Sequence, residues 1–211
     1  MQNLILFGGS FDPVHYGHLR TALAVQQHFH FQRFVFLPCK SPVLKAITKA
    51  SSQQRVDMLN LAIKPYHDFS IDLREIQRDG PSYMVDTLAS FRQELGNATS
   101  ITLLLGRDAY FQLPKWHKWE MLLQLSNLLI MERPESKSNL PKDLTVLEKQ
   151  HLTYNETELF DIPCGKILHY HAGIYEISST WIREQLKKGA DVGEYLPPSI
   201  YQYIKDQELY Q

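Results

Sequence analysis

The sequence predicts an α/β protein: a Rossmann-like, doubly wound parallel sheet with a small helical part at its C-terminal end. Two observations carry this prediction. Short apolar runs alternate with segments of helical periodicity along most of the 211 residues, which is typical of a parallel sheet covered by helices on both faces. The first apolar run stops at Gly8 and Gly9, and sheets of this class bind ligands beyond the carboxyl ends of their strands.

Six segments are predicted as strands because they are short, apolar and bounded by turn-forming residues. They cover residues 3–7, 33–37, 69–73, 101–105, 127–131 and 166–170. The run at 101–105 is the strongest signal, and Gly106 ends it. The segment 69–73 differs from the others, because its apolar residues alternate with polar ones.

The segments between these strands carry apolar residues at helical spacing. They predict helices over residues 17–29, 53–63, 82–95, 120–125 and 178–188, and a short helical pattern follows Pro197 and Pro198. The helix over 178–188 opens with hydroxyl residues and closes on Gly189, which are common start and stop signals. Residues 136–163 are polar and weakly patterned, so we expect a helix and loops at the sheet edge, within a single domain over residues 1–211.

Charge, cysteine content and the lengths of the apolar runs indicate which partners and which cell compartment to expect. The formal net charge of -1 gives no support for nucleic acid or a membrane surface as a partner. Cys39 and Cys164 lie far apart, which suits free thiols in a reducing cytosol. The opening MQNLILFGG lacks the basic start and long apolar run of a secretory signal, and no stretch is long enough to span a bilayer. We therefore expect a cytoplasmic protein, and the sequence leaves room for a homo-oligomer.

The segment LFGGSFDPVHYGHL, residues 6–19, carries the first candidate site. Glycines directly after a strand let the backbone approach a bulky anion, and amides at the start of the next helix can point at phosphate. The segment is neither GxGxxG nor a P-loop, since GK[ST] is absent. His15 and His18 lie three apart across the predicted helix start, so they can face one pocket and stabilise charge on a transferring phosphate. The alternatives are capping or core histidines, or a metal pair that lacks a third ligand.

Two motifs resemble those of the HxGH nucleotidyltransferase superfamily. GGSFDPVHYGH, residues 8–18, resembles its signature, and ISSTWIR, residues 177–183, resembles its late ISSTxxR motif. The second motif also makes physical sense, because the hydroxyls of Ser178 to Thr180 can cap a helix whose amides and dipole attract phosphate. Arg183, one turn further on, can reach the same anion. An ordinary N-cap would also account for the hydroxyls.

Nearly the whole chain resembles the bacterial nicotinate-nucleotide adenylyltransferases. The stretches that carry this resemblance are Pro81-Ser82-Tyr83 with Thr87-Leu88, Leu105-Gly106-Arg107-Asp108, Pro114-Lys115-Trp116 and Glu132-Arg133-Pro134. The resemblance implies a nucleotidyltransferase-type sheet and adenylyl transfer from ATP to nicotinate mononucleotide. The products would be deamido-NAD and pyrophosphate, in a step of NAD biosynthesis. It also implies Mg²⁺ as a cofactor, bound mainly through the ATP phosphates.

The same resemblance implies roles for individual residues. The catalytic, charge-stabilising residues would be His15, His18, Lys45 and Arg183. ATP would contact Gly8, Gly9, Ser10, Phe11, Gly106, Asp108, Ile177, Ser178, Thr180 and Arg183. The mononucleotide would contact Tyr83, Thr87, Asp108, Trp116 and Arg133. None of the residues is expected to be a metal ligand.

The residue types at these positions leave structural alternatives open. Trp116 can stack on a flat, cationic pyridinium ring or pack onto the core. Asp108 can accept hydrogen bonds from ribose hydroxyls or cap the next helix. Tyr83 and Thr87 are four apart near a helix start and share a face, where Tyr83 could also be a half-buried anchor. The charged residues between 132 and 149 are expected on a solvated face.

Three positions depart from the pattern of these adenylyltransferases. Cys39 and Leu44 stand where the family usually has asparagine and histidine, and Met84 stands where it often has threonine. Pantetheine-phosphate adenylyltransferase is the nearest rival enzyme, but it usually has a shorter chain and threonine in place of His15. Cytidylyltransferases differ in the late motif. A non-catalytic nucleotide-binding sensor is a rival of another class, and the presence of both His15 and His18 speaks against it.

Overall fold

The sheet has the predicted doubly wound architecture. A computed structural model describes residues 2–42, 48–132, 140–171, 173 and 177–211. The strands in this part of the chain are β1 (Asn3–Gly9), β2 (Arg33–Pro38), β3 (Phe69–Ile71), β4 (Ser100–Gly106), β5 (Asn127–Met131) and β6 (Ile167–Tyr170). They form one sheet in the order β3-β2-β1-β4-β5-β6. The order reverses between β1 and β4, so ligands of such a sheet are expected beyond the carboxyl ends of these two strands.

Strands β1, β4, β5 and β6 pair in parallel. Asn3 lies opposite Ser100, Thr102 opposite Asn127, and Leu128 opposite Ile167. Every residue of β5 is buried, as is every residue of β4 except the last. Parallel strands that are covered on both faces are apolar without alternation, which explains why the sequence located these strands well.

The helices lie close to the predicted segments. They are α1 (Tyr16–Phe29), α2 (Ser52–Ile63), α3 (Arg74–Gln77), α4 (Met84–Leu95), α5 (Arg107–Phe111), α6 (Leu122–Leu125), α7 (Lys142–His151), α8 (Glu158–Asp161), α9 (Ser179–Lys187) and α10 (Pro198–Asp206). Short 3₁₀ turns cover Leu113–Lys115, Trp119–Met121 and Gly193–Tyr195. The predicted helices at 17–29, 53–63, 82–95 and 178–188 correspond to α1, α2, α4 and α9. Among the described helices, none is both long and apolar enough to cross a membrane.

Two local predictions were wrong in detail. Strand β3 ends before Asp72, because the Asp72 carboxylate accepts a hydrogen bond from the backbone N–H of Arg74 at 2.9 Å and helix α3 begins there. Helix α5 follows β4 directly and is not among the predicted helices. The helix predicted at 120–125 divides into the 3₁₀ turn Trp119–Met121 and α6. The edge segment 136–163 contains α7 and α8 as expected, and residues 136–139 lie outside the described residues.

The chain divides into two compact units, and the prediction of a single domain over residues 1–211 stays a prediction. The first unit comprises Met1–Gly8, Phe31–Val35 and Ser82–Ile174. Arg92 of α4 fastens its strand ends, donating to the carbonyl oxygens of Thr99 at 2.6 Å, Leu125 at 2.8 Å and Pro163 at 2.6 Å. These carbonyls precede β4, β5 and β6, so one guanidinium fixes the entry of three strands.

The second unit comprises Gly9–His30, Phe36–Pro81 and Tyr175–Gln211. Its core contains buried side chains from three helices, Val25 of α1, Met58 of α2 and Ile200 of α10 among them. The Tyr203 hydroxyl of α10 donates to the Asp57 carboxylate of α2 at 3.1 Å. Cys39 of this unit and Cys164 of the first are free thiols, as the sequence predicts.

Candidate active site

The two sequence motifs meet in the second unit. Ser179 Oγ, at the start of α9, donates to the carbonyl oxygen of Pro13 at 3.0 Å. Arg183 Nη1, one turn later, donates to the carbonyl oxygen of Asp12 at 2.7 Å. We call Asp12, His15, His18, Ser179 and Arg183 the histidine cluster. Its parts are about 170 positions apart in sequence, so only the fold brings them together.

The two histidines of the cluster lie against each other at the start of α1. His15 is the N-cap residue and His18 lies in the first turn. Their rings stack with centroids 3.8 Å apart and planes at 29°. The backbone N–H of His15 donates to Nδ1 of His18 at 3.4 Å. Because an N–H can donate only to an unprotonated ring nitrogen, neutral His18 carries its proton on Nε2.

Gly17, between the histidines, is required by close packing. A Cβ atom built at this position would lie 2.9 Å from Nδ1 and 3.0 Å from Cε1 of His15, and 3.4 Å from the Cβ of Ile177. Any side chain at position 17 would therefore displace the His15 ring from its stack. The glycine of the HxGH pattern makes room for the imidazole that precedes it.

Burial decides the charge of His15. Its residue exposure is 4 %, and desolvation lowers its pKa from 6.5 to about 3. His15 is therefore neutral at pH 7, and its buried Nδ1 makes no hydrogen bond to any of the described residues. The positive charge in the described part of the cluster comes from Arg183, whose side chain is 21 % exposed and always protonated. Lys45, the other predicted cation, lies outside the described residues.

The late motif is an N-cap in this structure. Ser178 Oγ accepts a hydrogen bond from the backbone N–H of Trp181 at 3.1 Å. Thr180 Oγ1 accepts from Arg183 Nη2 at 3.2 Å, so the hydroxyl helps to aim the guanidinium. An N-cap also leaves backbone N–H groups of the first turn available to an anion, at the positive end of the helix dipole. The ordinary capping role and a role toward phosphate are compatible here.

The loop after β1 turns the Phe11 side chain into the protein. Phe11 is 1 % exposed and has a φ of 48°. Its ring packs on His18 with centroids 5.1 Å apart and on Phe36 at 5.7 Å. A Cβ at Gly9 would lie 2.9 Å from this ring, so glycine is needed beneath it. Phe11 is buried as a whole residue, and its predicted contact with ATP stays a prediction.

Arg55 supports this loop, although the sequence analysis did not single it out. Arg55 is fully buried in α2. It donates through Nη1 to the carbonyl oxygen of Ser10 at 2.7 Å and through Nη2 to that of Cys39 at 2.7 Å. The backbone N–H of Cys39 donates in turn to the carbonyl oxygen of Gly9 at 3.0 Å. The sequence signal was an arginine four residues before Leu59, on the apolar face of its helix.

In the first unit, aromatic residues of the predicted mononucleotide site lie at the start of α4 and after α5. Tyr83 is the N-cap residue of α4, and its ring stacks on that of His117 with centroids 4.2 Å apart and planes at 30°. Trp116 ends the 3₁₀ turn Leu113–Lys115 and is half-buried. We call Tyr83, Trp116 and His117 the aromatic cluster. Half-burial leaves part of the Trp116 side chain accessible.

Two neighbours of Tyr83 face the protein. Thr87 is fully buried, and its hydroxyl donates to the carbonyl oxygen of Tyr83 at 3.3 Å. Met84 extends toward β1, since a Cβ built on Gly8 would lie 2.9 Å from the Met84 methyl carbon. Thr87 thus supports the first turn of α4, and its predicted contact with the mononucleotide stays a prediction. Arg133, another predicted contact, lies outside the described residues.

The end of β4 carries Gly106 and Asp108, both exposed. Gly106 is the N-cap residue of α5, and Asp108 is its second residue. Between them, Arg107 Nη1 donates to a carboxylate oxygen of Glu132. The other oxygen of Glu132 bonds His169 Nδ1 at 2.6 Å, and His169 Nε2 bonds Glu148 at 2.9 Å. The prediction of a solvated face at 132–149 was wrong for Glu132 and Glu148, whose side chains are 12 % and 19 % exposed.

Burial tends to raise the pKa of Glu132, but hydrogen bonds from His169 and Arg107 outweigh it and leave the pKa below its ordinary value. Glu132 is therefore a carboxylate at neutral pH, hydrogen-bonded to Arg107 and His169. Within the described residues, no group of three or more His, Cys, Asp or Glu side chains is arranged to hold a metal ion.

Comparison with known proteins agrees with the motifs. The family model for cytidylyltransferase-like proteins matches residues 6–185. The fold and the histidine cluster therefore define a nucleotidyltransferase of the cytidylyltransferase-like type. A protein of Legionella pneumophila (strain Lens), named probable nicotinate-nucleotide adenylyltransferase, is 51 % identical over 100 % of both chains. A protein of the same name from Salmonella arizonae is 36 % identical over 98 % of this chain and 97 % of its own. This chain belongs to the nicotinate-nucleotide adenylyltransferase family.

A solved structure supports the fold. Plasmodium falciparum nicotinic acid mononucleotide adenylyltransferase complexed with NaAD superposes with a TM-score of 0.75. The match covers 100 % of this chain and 98 % of that chain at 21 % identity. The predicted nucleotidyltransferase-type sheet is confirmed.

Proposed function

We propose that this chain transfers the adenylyl group of ATP to nicotinate mononucleotide, giving deamido-NAD and pyrophosphate as a step of NAD biosynthesis. The observation that carries the proposal is the histidine cluster: a stacked histidine pair on a loop that Ser179 and Arg183 of the late motif hold by hydrogen bonds. Full-length similarity to proteins named for this reaction supports the choice of substrates. The free thiols support a reducing compartment, and we place the reaction in the cytoplasm.

The reaction is a direct displacement at phosphorus. An oxygen of the mononucleotide 5′-phosphate attacks the α-phosphorus of ATP and forms the new P–O bond. The bond between the α-phosphorus and the oxygen bridging to the β-phosphorus breaks, and its electron pair leaves with pyrophosphate. No side chain acts as a nucleophile, so the protein contributes positioning and neutralisation of developing charge.

The charge-stabilising groups divide into neutral donors and cations. His18 offers an Nε2–H and His15 a neutral imidazole to the α- and β-phosphates. Arg183 and the N-terminal amides of α9 face the β- and γ-phosphates, together with Lys45. Mg²⁺ would supply neutralisation of phosphate charge, and we assign it to phosphate oxygens and water. Both carboxylate oxygens of Asp12 accept hydrogen bonds from protein groups. This supports the assignment of Mg²⁺ to phosphate oxygens and water rather than to Asp12.

The adenosine and the nicotinate mononucleotide are assigned to separate groups of residues. We assign adenosine to the backbone of Gly8 to Phe11 and to Gly106, Asp108 and Ile177, with Ser178 and Thr180 near the phosphates. The nicotinate ring is assigned to Trp116 of the aromatic cluster, with Tyr83, Thr87, Asp108 and Arg133 around the mononucleotide. The accessible part of Trp116 supports stacking on a pyridinium ring.

A turnover assay tests the reaction. Purified protein is incubated with MgATP and, separately, nicotinate mononucleotide, nicotinamide mononucleotide or phosphopantetheine, and pyrophosphate release is measured. We expect the highest kcat/KM with nicotinate mononucleotide. Turnover only with phosphopantetheine would refute the substrate assignment, and ATP binding without pyrophosphate release would refute the enzyme.

Substitution of Trp116 tests the mononucleotide half. Trp116→Ala should raise the KM for the mononucleotide by an amount equivalent to about 1–3 kcal/mol, and Trp116→Phe should recover much of it. The KM for ATP should stay the same. Equal losses for both substrates, with a lower melting temperature, would mean that Trp116 packs on the core.

A further inference from the structure

We propose that Tyr210 is a positioning residue for the histidine cluster. Its hydroxyl donates to Asp12 Oδ1 at 2.8 Å, across 198 positions of sequence. The inference rests on the proposed function, because it assumes that the cluster holds the ATP phosphates. Tyr210 touches no substrate in this proposal and acts through Asp12.

Asp12 is a buried carboxylate whose orientation depends on its donors. It is 2 % exposed. Its Oδ2 accepts from the backbone N–H of Lys49 at 2.8 Å, and its Oδ1 from that of Ala50 at 3.1 Å. A buried carboxylate is stable only when such donors are present, and Tyr210 supplies the side-chain donor of this set. Removing the hydroxyl therefore leaves Oδ1 with the Ala50 N–H but without its shorter hydrogen bond, so the carboxylate is held less firmly.

Movement of Asp12 reaches the phosphate-binding groups directly. Arg183 Nη1 donates to the main-chain oxygen of Asp12 at 2.7 Å and lies 3.9 Å from its Oδ2. The next carbonyl, that of Pro13, accepts from Ser179, and His15 follows two residues later. The segment that Tyr210 steadies is thus the one that holds Arg183 and leads into the histidine pair.

The backbone conformation of the residues after α10 places the Tyr210 hydroxyl next to Asp12. Glu208 and Tyr210 both have left-handed backbone conformations, with φ of 50° and 66°. Non-glycine residues adopt this region rarely, and only where surrounding contacts hold them. The Tyr210 ring is 7 % exposed, so its hydroxyl is placed inside the unit. Burial, followed by the nearby Asp12 charge, raises the pKa of Tyr210 far above its ordinary value, so the hydroxyl stays a donor.

The chain offers a matched control. Tyr203 also donates its hydroxyl to a carboxylate, that of Asp57, at 3.1 Å. This bond joins α10 to α2 in the same unit and involves no member of the histidine cluster. Tyr210→Phe and Tyr203→Phe each remove one tyrosine–aspartate hydrogen bond and keep the ring. The two variants differ only in which carboxylate loses a donor, Asp12 or Asp57.

Steady-state kinetics of the full chain tests the proposal. We expect Tyr210→Phe to raise the KM for ATP by about three- to tenfold, which lies within the range for loss of one ordinary hydrogen bond, because the effect on ATP is indirect. The KM for nicotinate mononucleotide should stay within about twofold, and Tyr203→Phe should leave both KM values unchanged. Wild-type KM for ATP in Tyr210→Phe would overturn the role of Tyr210. So would an equal rise of both KM values.

A double-variant cycle with Arg183→Lys separates positioning from general stability. If Tyr210 acts through Asp12 on Arg183, Tyr210→Phe should raise the KM for ATP less in the Arg183→Lys background than in the wild type. Independent, multiplicative effects would overturn the proposed route. Wild-type ATP affinity in Arg183→Lys alone would instead overturn the phosphate role of Arg183 in the proposed function, so the two failures are distinguishable.

Discussion

Acidification from pH 7.5 to about pH 5 is expected to destabilise this protein by about 2 kcal/mol through His15 alone. The pKa of His15 is about 3 in the folded protein because of burial, against an ordinary value of 6.5. Between these values the unfolded chain binds a proton that the folded chain excludes. The free energy of unfolding therefore falls as the pH drops below 6.5, and the loss stops near pH 3. Each pH unit below the unfolded pKa lowers the free energy of unfolding by about 1.4 kcal/mol. Since pH 5 lies about 1.5 units below that pKa, the total loss is about 2 kcal/mol.

Urea denaturation followed by circular dichroism at several pH values measures this effect. The chain has nine histidines, so the informative quantity is the difference between wild type and His15→Asn. His15→Asn should be less stable than wild type at pH 7.5 and should lose about 2 kcal/mol less on acidification. His28→Asn, at an exposed position of the same helix, is the matched control and should follow the wild type. An identical pH dependence in wild type and His15→Asn would refute the reasoning that His15 is buried and neutral.

The remaining predictions concern the loop and its histidines. His18→Ala should lower kcat by at least about a hundredfold in a protein with a wild-type circular dichroism spectrum, and unchanged pyrophosphate release would contradict its role. Gly17→Ala should raise the KM for ATP, because its methyl group displaces the His15 ring; steady-state kinetics checks this. Arg55→Met leaves the carbonyls of Ser10 and Cys39 without their donor and should lower the free energy of unfolding by about 3 kcal/mol, whereas exposed Arg20→Met should not.

The sequence predicted the sheet well because its strands are buried on both faces. Continuous apolar runs such as 101–105 and 127–131 are recognisable in the sequence without knowledge of the helices that cover them. The candidate site at the start of α1 was also predictable from the sequence, because two glycines and two histidines there are unusual for an ordinary helix start. Short elements were not predictable: α3 depends on one contact of the Asp72 carboxylate, and α5 is only five residues long.

The supports of the candidate site could not be read from the sequence, because each depends on contacts between distant segments. Tyr210 looks like one more tyrosine near the end of a polar helix, and its partner Asp12 lies 198 positions away. Arg55 looks like an interruption of an apolar face. The neutral state of His15 follows from burial, which the residue types around it do not fix. Motifs indicate the residues of the proposed site, but the fold decides which other groups hold those residues in place.

The departures from the family pattern differ in what they change. At Cys39 the main chain makes the contacts that fix the loop, through its N–H to Gly9 and its carbonyl to Arg55. Those bonds do not depend on the side chain, so cysteine allows the backbone contacts to Gly9 and Arg55. At Met84 the side chain itself extends to Gly8, where a threonine would be too short to reach. Of these two departures, Met84 is therefore the one at which the side chain makes the contact, and Cys39 is the one at which the main chain does.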